Sequence, residues 1–426
     1  MAEVLVIGGG VAGMSAAWHA QKTGREAVIF EAEQSWGGLL DHFTCQGYRF
    51  DQGVHFAFSS NEDFRLLLEK TAYHVHRPEP YNYEQGRWLK HPVQNNLYPL
   101  PVAEKIEAIK SFINRPDQGP KVKHYRQWLD QQFGEVIAGR FPARYTEKYW
   151  TVPAEQLGVE WIGNRLYRPT LEEVLYGAMT DQTPQTYYLK EMLYPRSGGF
   201  KAFLEPLAAK LKVQNGKKVI KVNTARQFVE CADGTKEYYG LLASSAPLPE
   251  LVKMIDNPPR DVQEAAEQLW ATSIALVSVG FKVPRAGEHL WFYIYDHELL
   301  PARVHAPFRK AADSVPEGKS SLQFEIYFSR YKPLPGSAEE LTEHVLQTVE
   351  KMQLAPRSAV TVVDFRILPY AFVVFDRGMT ARRRLVLEYI QSKRIIPVGR
   401  FGLWDYLWSD QSFLSGKAVE MAANML

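Results

Sequence analysis

The sequence predicts an α/β fold that begins with a Rossmann-like dinucleotide-binding unit, and three consecutive features support this prediction. Residues 4–7 form an apolar run rich in branched side chains, as in a buried strand. Gly8, Gly10 and Gly13 follow at the spacing of the dinucleotide fingerprint. Residues 14–20 then continue with a helical pattern. A strand, a glycine turn and a helix in this order predict a nucleotide-binding unit.

Each residue of this unit has a separate mechanical role. Gly8 permits the tight turn, Gly10 allows the backbone to approach a pyrophosphate, and Gly13 allows helix and strand to pack closely. The helix N-terminus offers unpaired N–H groups and a favourable dipole to the phosphates. A second strand, residues 27–30, ends in Glu31. We expect this carboxylate to bind the two hydroxyls of an adenosine ribose and to repel the 2′-phosphate of NADP.

A glycine pair distinguishes between the cofactors that such a unit could bind. Gly37 and Gly38 lie shortly after Glu31, and the segment 31–40 resembles the second FAD signature of the flavin amine oxidase superfamily. This superfamily includes protoporphyrinogen oxidase and UDP-galactopyranose mutase. NAD dehydrogenases do not carry the glycine pair. The resemblance therefore implies non-covalent FAD, bound by a Rossmann-like domain of the GR2 type with an inserted helical and mixed-sheet substrate domain.

Length and composition exclude several other classes. A chain of 426 residues predicts two or three domains, and a net charge of +2 provides no global field for nucleic acid. No apolar run approaches the roughly 20 residues of a membrane span. Cys45 and Cys231 are too few for a disulfide framework, and the nucleotide unit begins at Val4, so we expect no signal peptide and a reducing, cytoplasmic setting. His74 and His76 lack further ligands, so no metal site is predicted.

The remaining patterns predict how the chain is divided. We expect a discontinuous FAD-binding domain of residues 1–75, 195–265 and 375–426, a helical insertion of residues 76–194, and an antiparallel-sheet substrate domain of residues 266–374. Helical patterns at 102–113, 123–132 and 135–141 support the insertion. Aromatic runs at 290–295 and 322–328 predict strands that could wall a substrate pocket.

The segment 395–412 is the second strong motif, and it resembles the C-terminal FAD segment of the mutases without a gap. The resemblance implies cofactor contacts from Gly399, Arg400, Asp410, Gln411 and Ser412, and it further implies a backbone contact from Val219 to adenine. The residues themselves predict a strand at 395–398 that brings a glycine and a cation to the cofactor. They also predict a helix that is capped by Ser409 or Asp410 and runs to Met425.

Further site residues follow from the same resemblance. Residues 144–168 are similar to the tyrosine, threonine, lysine and tryptophan block of the mutases, in which a later arginine holds the substrate diphosphate. Arg165 is the best match and Arg168 the second, and a guanidinium suits a diphosphate because it offers paired donors and a permanent charge. A structural, exposed arginine is the alternative.

Two residues are expected beside the flavin and the substrate. The resemblance places His55 next to the flavin, whereas a structural buried histidine is the alternative reading. Tyr370 occupies the place of a family tyrosine near the substrate. Because the mutases use two arginines, Arg303 or Arg309 is a candidate second ligand of the diphosphate.

The resemblance implies an FAD-dependent enzyme that acts on a nucleotide-sugar-like small molecule. Reduced flavin would supply the nucleophile without net oxidation, with NADPH or NADH as a candidate external reductant. Arg165 would hold the diphosphate, and His55 and Arg400 would cover the flavin. An oxidase or dehydrogenase of the amine oxidase or protoporphyrinogen oxidase type is the alternative, and it would need an apolar slot instead. A flavin-bound binding protein is a third reading.

Overall fold

The computed structural model describes residues 2–116, 122–163, 165–186 and 189–424, and the elements named here lie within them. The strands are β1 (Ala2–Ile7), β2 (Ala27–Phe30), β3 (His42–Cys45), β4 (Tyr48–Asp51), β5 (Tyr73–His76), β6 (Tyr81–Glu84), β7 (Arg87–Lys90), β8 (Met192–Pro195), β9 (Lys212–Gln214), β10 (Val219–Asn223), β11 (Phe228–Cys231), β12 (Lys236–Ser244), β13 (Ala271–Phe281), β14 (Trp291–Ile294), β15 (Arg303–His305), β16 (Ser320–Phe328), β17 (Val360–Val373) and β18 (Ile395–Pro397).

The α-helices are α1 (Val11–Lys22), α2 (Glu62–Leu68), α3 (Val102–Ile113), α4 (Tyr125–Ala138), α5 (Arg144–Tyr149), α6 (Leu171–Met179), α7 (Glu205–Ala208), α8 (Leu248–Met254), α9 (Arg260–Gln268), α10 (Pro307–Lys310), α11 (Ala338–Lys351), α12 (Met379–Ser392), α13 (Gly399–Gly402), α14 (Ser409–Ser415) and α15 (Ala418–Ala423). None of the helices described has both the length and the apolar composition needed to cross a bilayer.

A parallel sheet forms the nucleotide-binding part of the molecule. Its strands lie in the order β9–β2–β1–β12–β18, and all neighbours are parallel. Strands β10 and β11 extend from β12 as an antiparallel arm. Strands β1, β12 and β18 are far apart in sequence, so the sheet is complete only when distant segments meet. This architecture confirms the predicted α/β fold.

The glycine turn between β1 and α1 explains why this helix packs so closely on its strand. Gly8 has φ +97°, a conformation that favours glycine. A Cβ added at Gly13 would lie only 1.9 Å from the carbonyl oxygen of Gly8. Only glycine at position 13 therefore allows α1 to approach the turn this closely.

The start of the helix at 409 differs from the prediction. Trp408 is the N-cap residue, and Ser409 and Asp410 are already the first two residues of α14. Neither is the N-cap residue, although the Asp410 Oδ1 atom accepts a hydrogen bond from the Gln411 N–H at 2.8 Å. Instead the Oε1 atom of Gln411 accepts a hydrogen bond from the Trp408 N–H at 2.9 Å. The predicted cap was wrong because the chain turns into the helix one residue earlier than its polar residues suggest.

The predicted continuous helix to Met425 was also wrong. Helix α14 ends at Ser415, α15 begins at Ala418, and Met425 lies outside the described residues. Gly416 and Lys417 keep helical dihedral angles, and the hydrogen bonds between the two helices are of the i→i+3 type, as from the Gly416 N–H to the Phe413 carbonyl. Glycine at this position allows close contact with α1, because a Cβ at Gly416 would lie 2.6 Å from the backbone nitrogen of Ala16.

The second sheet has seven strands in the order β17–β13–β16–β15–β14–β6–β7. All neighbours are antiparallel except β14 and β6. Helix α11 covers one face through Leu341, Val345 and Val349, which are buried with residues of β13 and β16. The two aromatic runs predicted at 290–295 and 322–328 lie in this sheet, with β15 between them. The predicted mixed-sheet part of the fold is thus present.

The segment 76–194 contributes both helices and strands. Its first two strands, β6 and β7, complete the second sheet, and its helices form a separate layer. The helical patterns at 123–132 and 135–141 correspond to the single element α4, which is broken at Gly134 (φ +74°). We propose the predicted three-part division of the chain with these two strands assigned to the substrate sheet.

Candidate functional site

A cavity of about 870 Å³ lies between the two sheets. At one end it is lined by Gly8, Glu31 and Ser245, which follow the carboxyl ends of the parallel strands β1, β2 and β12. At the other end it is lined by aromatic side chains from the second sheet and from the helical layer. Its size is in the range of cofactor and ligand sites, and its position is where open α/β sheets bind nucleotides.

The first end of the cavity has the form of a backbone cradle. Helix α1 begins at Gly10 without a side-chain cap, so its first N–H groups are left for another acceptor. The backbones of Gly10 and Gly37 run side by side, and a Cβ added at Gly38 would lie 3.3 Å from the Gly10 Cα. The cradle is thus made of glycine backbone beside a helix N-terminus. This arrangement fits the pyrophosphate of a dinucleotide.

Glu31 is fixed at the edge of this cradle. Its Oε2 atom accepts a hydrogen bond from the Gly9 N–H at 2.6 Å, and its Oε1 atom accepts one from the Glu33 N–H at 2.8 Å. Each carboxylate oxygen has further acceptor capacity. The side chain lines the cavity, so its orientation suits the ribose hydroxyls expected from the sequence.

The structure brings most of the expected cofactor residues to the cavity. Those that line it are Gly8, Gly10, Glu31, Gly37, Gly38, Val219, Gly399, Arg400 and Ser412. Three others do not line it. Gly13 lies behind the turn, Asp410 accepts a hydrogen bond from the Ser59 hydroxyl at 3.0 Å, and Gln411 is exposed at the start of α14. These three residues support the surrounding backbone.

His55 faces the cavity from a loop that the second sheet holds in place. The Gln323 side chain accepts a hydrogen bond from the Gly53 N–H at 3.2 Å, and Glu325 accepts one from the Val54 N–H at 3.1 Å. Burial lowers the pKa of His55 to about 3 because desolvation disfavours the imidazolium. The imidazole is therefore neutral at physiological pH, and its Nδ1 atom has no protein partner among the described residues.

Arg165 and Arg400 both lie close to the Tyr406 ring. Their guanidinium carbons are 4.5 Å and 5.8 Å from its centroid. Arg165 donates to the carbonyl oxygens of Trp161 and Tyr406 at 2.8 and 2.7 Å, and Arg400 donates to that of Leu407 at 2.6 Å. In the described part of the chain, neither guanidinium has a carboxylate partner. Both side chains line the cavity and bring uncompensated positive charge to it.

The other candidate arginines are placed differently. Arg168 packs over the Trp128 ring away from the cavity, and Arg309 donates to the Gly287 carbonyl outside it. Arg303 does line the cavity, but Glu325 neutralises it with an Nε–Oε2 distance of 2.5 Å. Arg165 and Arg303 therefore line the cavity, whereas Arg168 and Arg309 do not.

The aromatic runs at 290–295 and 322–328 were expected to wall a pocket, but the tyrosines of α5 were not singled out as part of that wall. Tyr145 and Tyr149 from α5 line the cavity together with Tyr293 and Tyr327 from the second sheet. Their rings are in contact, with centroids 5.5 Å apart for Tyr145 and Tyr293 and 4.8 Å apart for Tyr149 and Tyr327. The only signal in the sequence was the local density of aromatic residues. Tyr370, which was expected, also lines the cavity, and its hydroxyl donates to Glu250 at 2.8 Å.

Comparisons with known proteins agree with this geometry. The sequence profile described as flavin containing amine oxidoreductase matches residues 11–400. A reduced UDP-galactopyranose mutase has the same fold, with a TM-score of 0.93, 22% identity, and coverage of 100% of this chain and 96% of that chain. A putative protoporphyrinogen oxidase from Exiguobacterium sp. 255-15 has a TM-score of 0.76, 16% identity, and coverage of 100% and 99%.

Among the curated relatives are carotenoid desaturases. Phytoene desaturase from Fusarium fujikuroi is 24% identical over 377 residues, which cover 75% of this chain and 65% of that protein. The 1-hydroxycarotenoid 3,4-desaturase of Flavobacterium sp. (strain P99-3) is 28% identical over 137 residues, which cover 29% of this chain and 27% of that protein. The chain thus spans less than two thirds of the length of these relatives.

The family profile spans most of the chain, and its match includes the first turn of α1 at one end and Arg400 at the other. The glycine cradle and the solved folds lead to the same conclusion as the resemblance seen in the sequence, which is thereby confirmed. The protein is a flavoenzyme, and it belongs to the flavin containing amine oxidoreductase family.

Proposed function

We propose that the protein is an FAD-dependent enzyme that acts on an anionic, nucleotide-sugar-like substrate with its flavin reduced. The observation that carries this proposal is the pair Arg165 and Arg400, two guanidinium groups that face the cavity without a carboxylate partner in the described chain. Burial of unpaired charge is costly unless a ligand compensates it. A diphosphate would compensate both groups through charge-assisted hydrogen bonds.

The same pair argues against the substrates of other family members. An amine substrate is a cation and would be repelled by two guanidinium groups in a site of low dielectric constant. A carotenoid would leave both groups against hydrocarbon, where no acceptor replaces water. Tyrosine hydroxyls along the wall also suit a polyhydroxylated sugar better than a polyene.

In this reaction Arg165, Arg400 and His55 would have separate roles beside the flavin. Bound FAD, when reduced, supplies a nucleophilic ring nitrogen. Arg165 and Arg400 hold the diphosphate and stabilise its charge as a leaving group. His55 meets the flavin side of the cavity as a neutral imidazole, because burial keeps its pKa at about 3. We propose NADPH or NADH as the external reductant, and a reducing cytoplasmic setting in line with two free cysteines.

Turnover tests the reaction class directly. The enzyme is reduced anaerobically with dithionite and incubated with UDP-galactopyranose, and the ring form of the sugar is followed by chromatography. We expect conversion only in the reduced state, with no stoichiometric use of reductant because the reaction is redox neutral. Oxygen-dependent peroxide formation with an amine, or desaturation of a carotenoid, would instead support the oxidoreductase alternative.

The diphosphate contact has its own test, in which UDP binding is followed through the spectrum of bound FAD. Arg165→Ala removes one of the two guanidinium groups proposed to hold the diphosphate, so we expect UDP binding to weaken by about tenfold or more, with FAD retained. Arg168→Ala is the matched control, because this nearby arginine packs on Trp128 outside the cavity. Equal UDP affinity in the two variants would remove Arg165 from the site.

A further inference from the structure

A buried lysine near the cavity has an unusual set of partners. Lys148 on α5 is only 4% exposed. Its Nζ atom lies 2.9, 2.9, 2.6 and 2.7 Å from the carbonyl oxygens of Ile294, Asp296, Leu299 and Pro301. Within the described residues, no carboxylate lies at ion-pair distance from it. All four oxygens belong to the end of β14 and the loop that leads to β15.

The number of acceptors indicates the protonation state that this site requires. A neutral amine offers two N–H donors and one lone pair, whereas an ammonium offers three donors. Four inward-pointing carbonyl oxygens attract a cation and repel a lone pair. Burial lowers the pKa of Lys148 well below its usual value. Hydrogen bonds to the charged form favour that form, so the four carbonyl oxygens act against the effect of burial. The charged groups nearby are Lys332, which also lowers the pKa, and Asp296 and Glu298, which raise it.

The loop that supplies the oxygens is held independently of the lysine. The Asp296 carboxylate accepts hydrogen bonds from the Gln85 N–H at 3.0 and 3.1 Å. The Leu300 N–H donates to the Nε2 atom of His344 at 3.0 Å. These contacts anchor the loop from β6–β7 and from α11. The carbonyl cage should therefore keep its shape when the lysine side chain is shortened.

The contact joins two parts of the cavity wall. Helix α5 carries Tyr145 and Tyr149 on its cavity side, and Lys148 projects roughly a quarter turn away toward the sheet. The strands on either side of the caged loop carry Tyr293 and Arg303, which also line the cavity. The position of the Lys148 ammonium thus sets the distance between Tyr145 and Tyr149 on α5 and Tyr293 on β14.

We propose that Lys148 is a positioning residue whose ammonium fills a monovalent-cation site made of four carbonyl oxygens, and that this site accepts a free alkylammonium ion when the side chain is shortened. The inference concerns the cavity wall and holds for any substrate. It predicts that the charge, rather than the hydrocarbon stem, keeps α5 in place.

The test uses FAD-loaded enzyme and the variants Lys148→Ala and Lys148→Met. We expect both to lower the thermal midpoint and to alter the visible circular dichroism of bound FAD, because the aromatic wall moves. Propylammonium replaces the atoms that alanine lacks, so it should restore at least about half of the lost thermal midpoint in Lys148→Ala in a saturable way, together with the dichroism. Lys105→Met is the control, since this half-exposed lysine also donates to two carbonyls.

Three results would overturn the proposal. The first is rescue by propanol that equals rescue by propylammonium, which would indicate simple filling of volume. Lys148→Met could match the unchanged enzyme in both measurements. The third result comes from the unmutated enzyme and does not require folded variants. With 15N-labelled lysine we expect two slowly exchanging ammonium signals, from Lys148 and from Lys310, which is paired to Asp51 at 2.5 Å. Lys148 and Lys310 are the two buried lysines among the described residues, so a spectrum with fewer than two such signals would contradict the proposal.

Discussion

Gly10 and Gly13 belong to one sequence motif but are constrained by different neighbours. A Cβ at Gly13 would collide with the Gly8 carbonyl at 1.9 Å. A Cβ at Gly10 would meet nothing closer than 3.9 Å, and its φ of −76° suits any residue. Gly10 nevertheless lines the cavity at the start of α1. The protein's own packing therefore explains Gly13, whereas only a ligand at close range explains Gly10.

This difference separates folding from cofactor binding. We expect Gly10→Ala to keep its thermal midpoint without FAD and to lose FAD affinity, because its methyl group would occupy the approach of the pyrophosphate. Gly13→Ala should destabilise the FAD-free protein by about 1–3 kcal/mol through overpacking. Chemical unfolding of the FAD-free protein and FAD titration measure the two effects. Full FAD affinity in Gly10→Ala would place the pyrophosphate elsewhere.

Local motifs made several residues of the site predictable, but they could not select among similar residues. The glycines, Glu31 and Arg400 were found because each stands at a fixed distance from a strand or helix end. Arg165 and Arg168 look alike in sequence, and only the packing of Trp128 under Arg168 distinguishes them. The tyrosines of the wall come from separate segments, so no local pattern could have joined them. Lys148 gave no sign of burial because its partners are backbone carbonyls.

Among the elements, those whose limits depend on local chemistry were predicted well. Strand β2 and helix α3 begin and end at the predicted residues. The predicted C-terminal helix is interrupted at Gly416, where the backbone of α1, about four hundred residues earlier, leaves no room for a side chain. Similarly, β6 and β7 lie in a segment dominated by helices, and only their partner β14 shows that they belong to the sheet.

Arg140 and Glu84 form an ion pair between the helical layer and the second sheet. Arg140, in the turn after α4, contacts both oxygens of Glu84 on β6 at 2.6 and 2.9 Å, and the Glu84 side chain is fully buried. Arg140→Met would leave this carboxylate with only Arg87, at 3.7 Å. We expect a loss of about 3 kcal/mol in the free energy of unfolding, measured by urea denaturation.

A second substitution shows whether buried charge is the cause of that loss. Adding Glu84→Gln to Arg140→Met removes the unpaired charge and should recover part of the stability. Arg260→Met is the matched control, since Arg260 contacts Glu264 at 2.7 Å but its side chain is 92% exposed. A similar loss in the control and in Arg140→Met would contradict this explanation.

At the scale of the whole molecule, buried histidines make stability depend on pH. Burial lowers the pKa of His91 and of His289 to about 4, and that of His55 to about 3, because desolvation disfavours the charged ring. In the unfolded chain each titrates near 6.5. Below that pH the unfolded state takes up protons that the folded state does not. The free energy of unfolding should therefore fall by about 1.4 kcal/mol per pH unit for each histidine between about pH 6.5 and 4.

Urea denaturation across this range measures the slope, and one variant tests its origin. His289 stacks on Tyr81 with ring centroids 4.0 Å apart, so His289→Phe keeps the stacking and removes one titrating group. We expect a shallower dependence of stability on pH in this variant. An unchanged slope would mean that His289 takes up its proton in the folded state as well.

The contact between α1 and the C-terminal helices has a consequence for how the enzyme is made. The Ser15 hydroxyl donates to the carbonyl oxygen of Phe413, 398 positions later, at 2.5 Å. A ribosome adding about 5–20 residues per second needs roughly 20 to 80 seconds to cover that interval. Throughout this time the face of α1 that packs on α14 has no such partner in the nascent chain. The cavity is thus complete only after Arg400 and Ser412, which line it, have emerged.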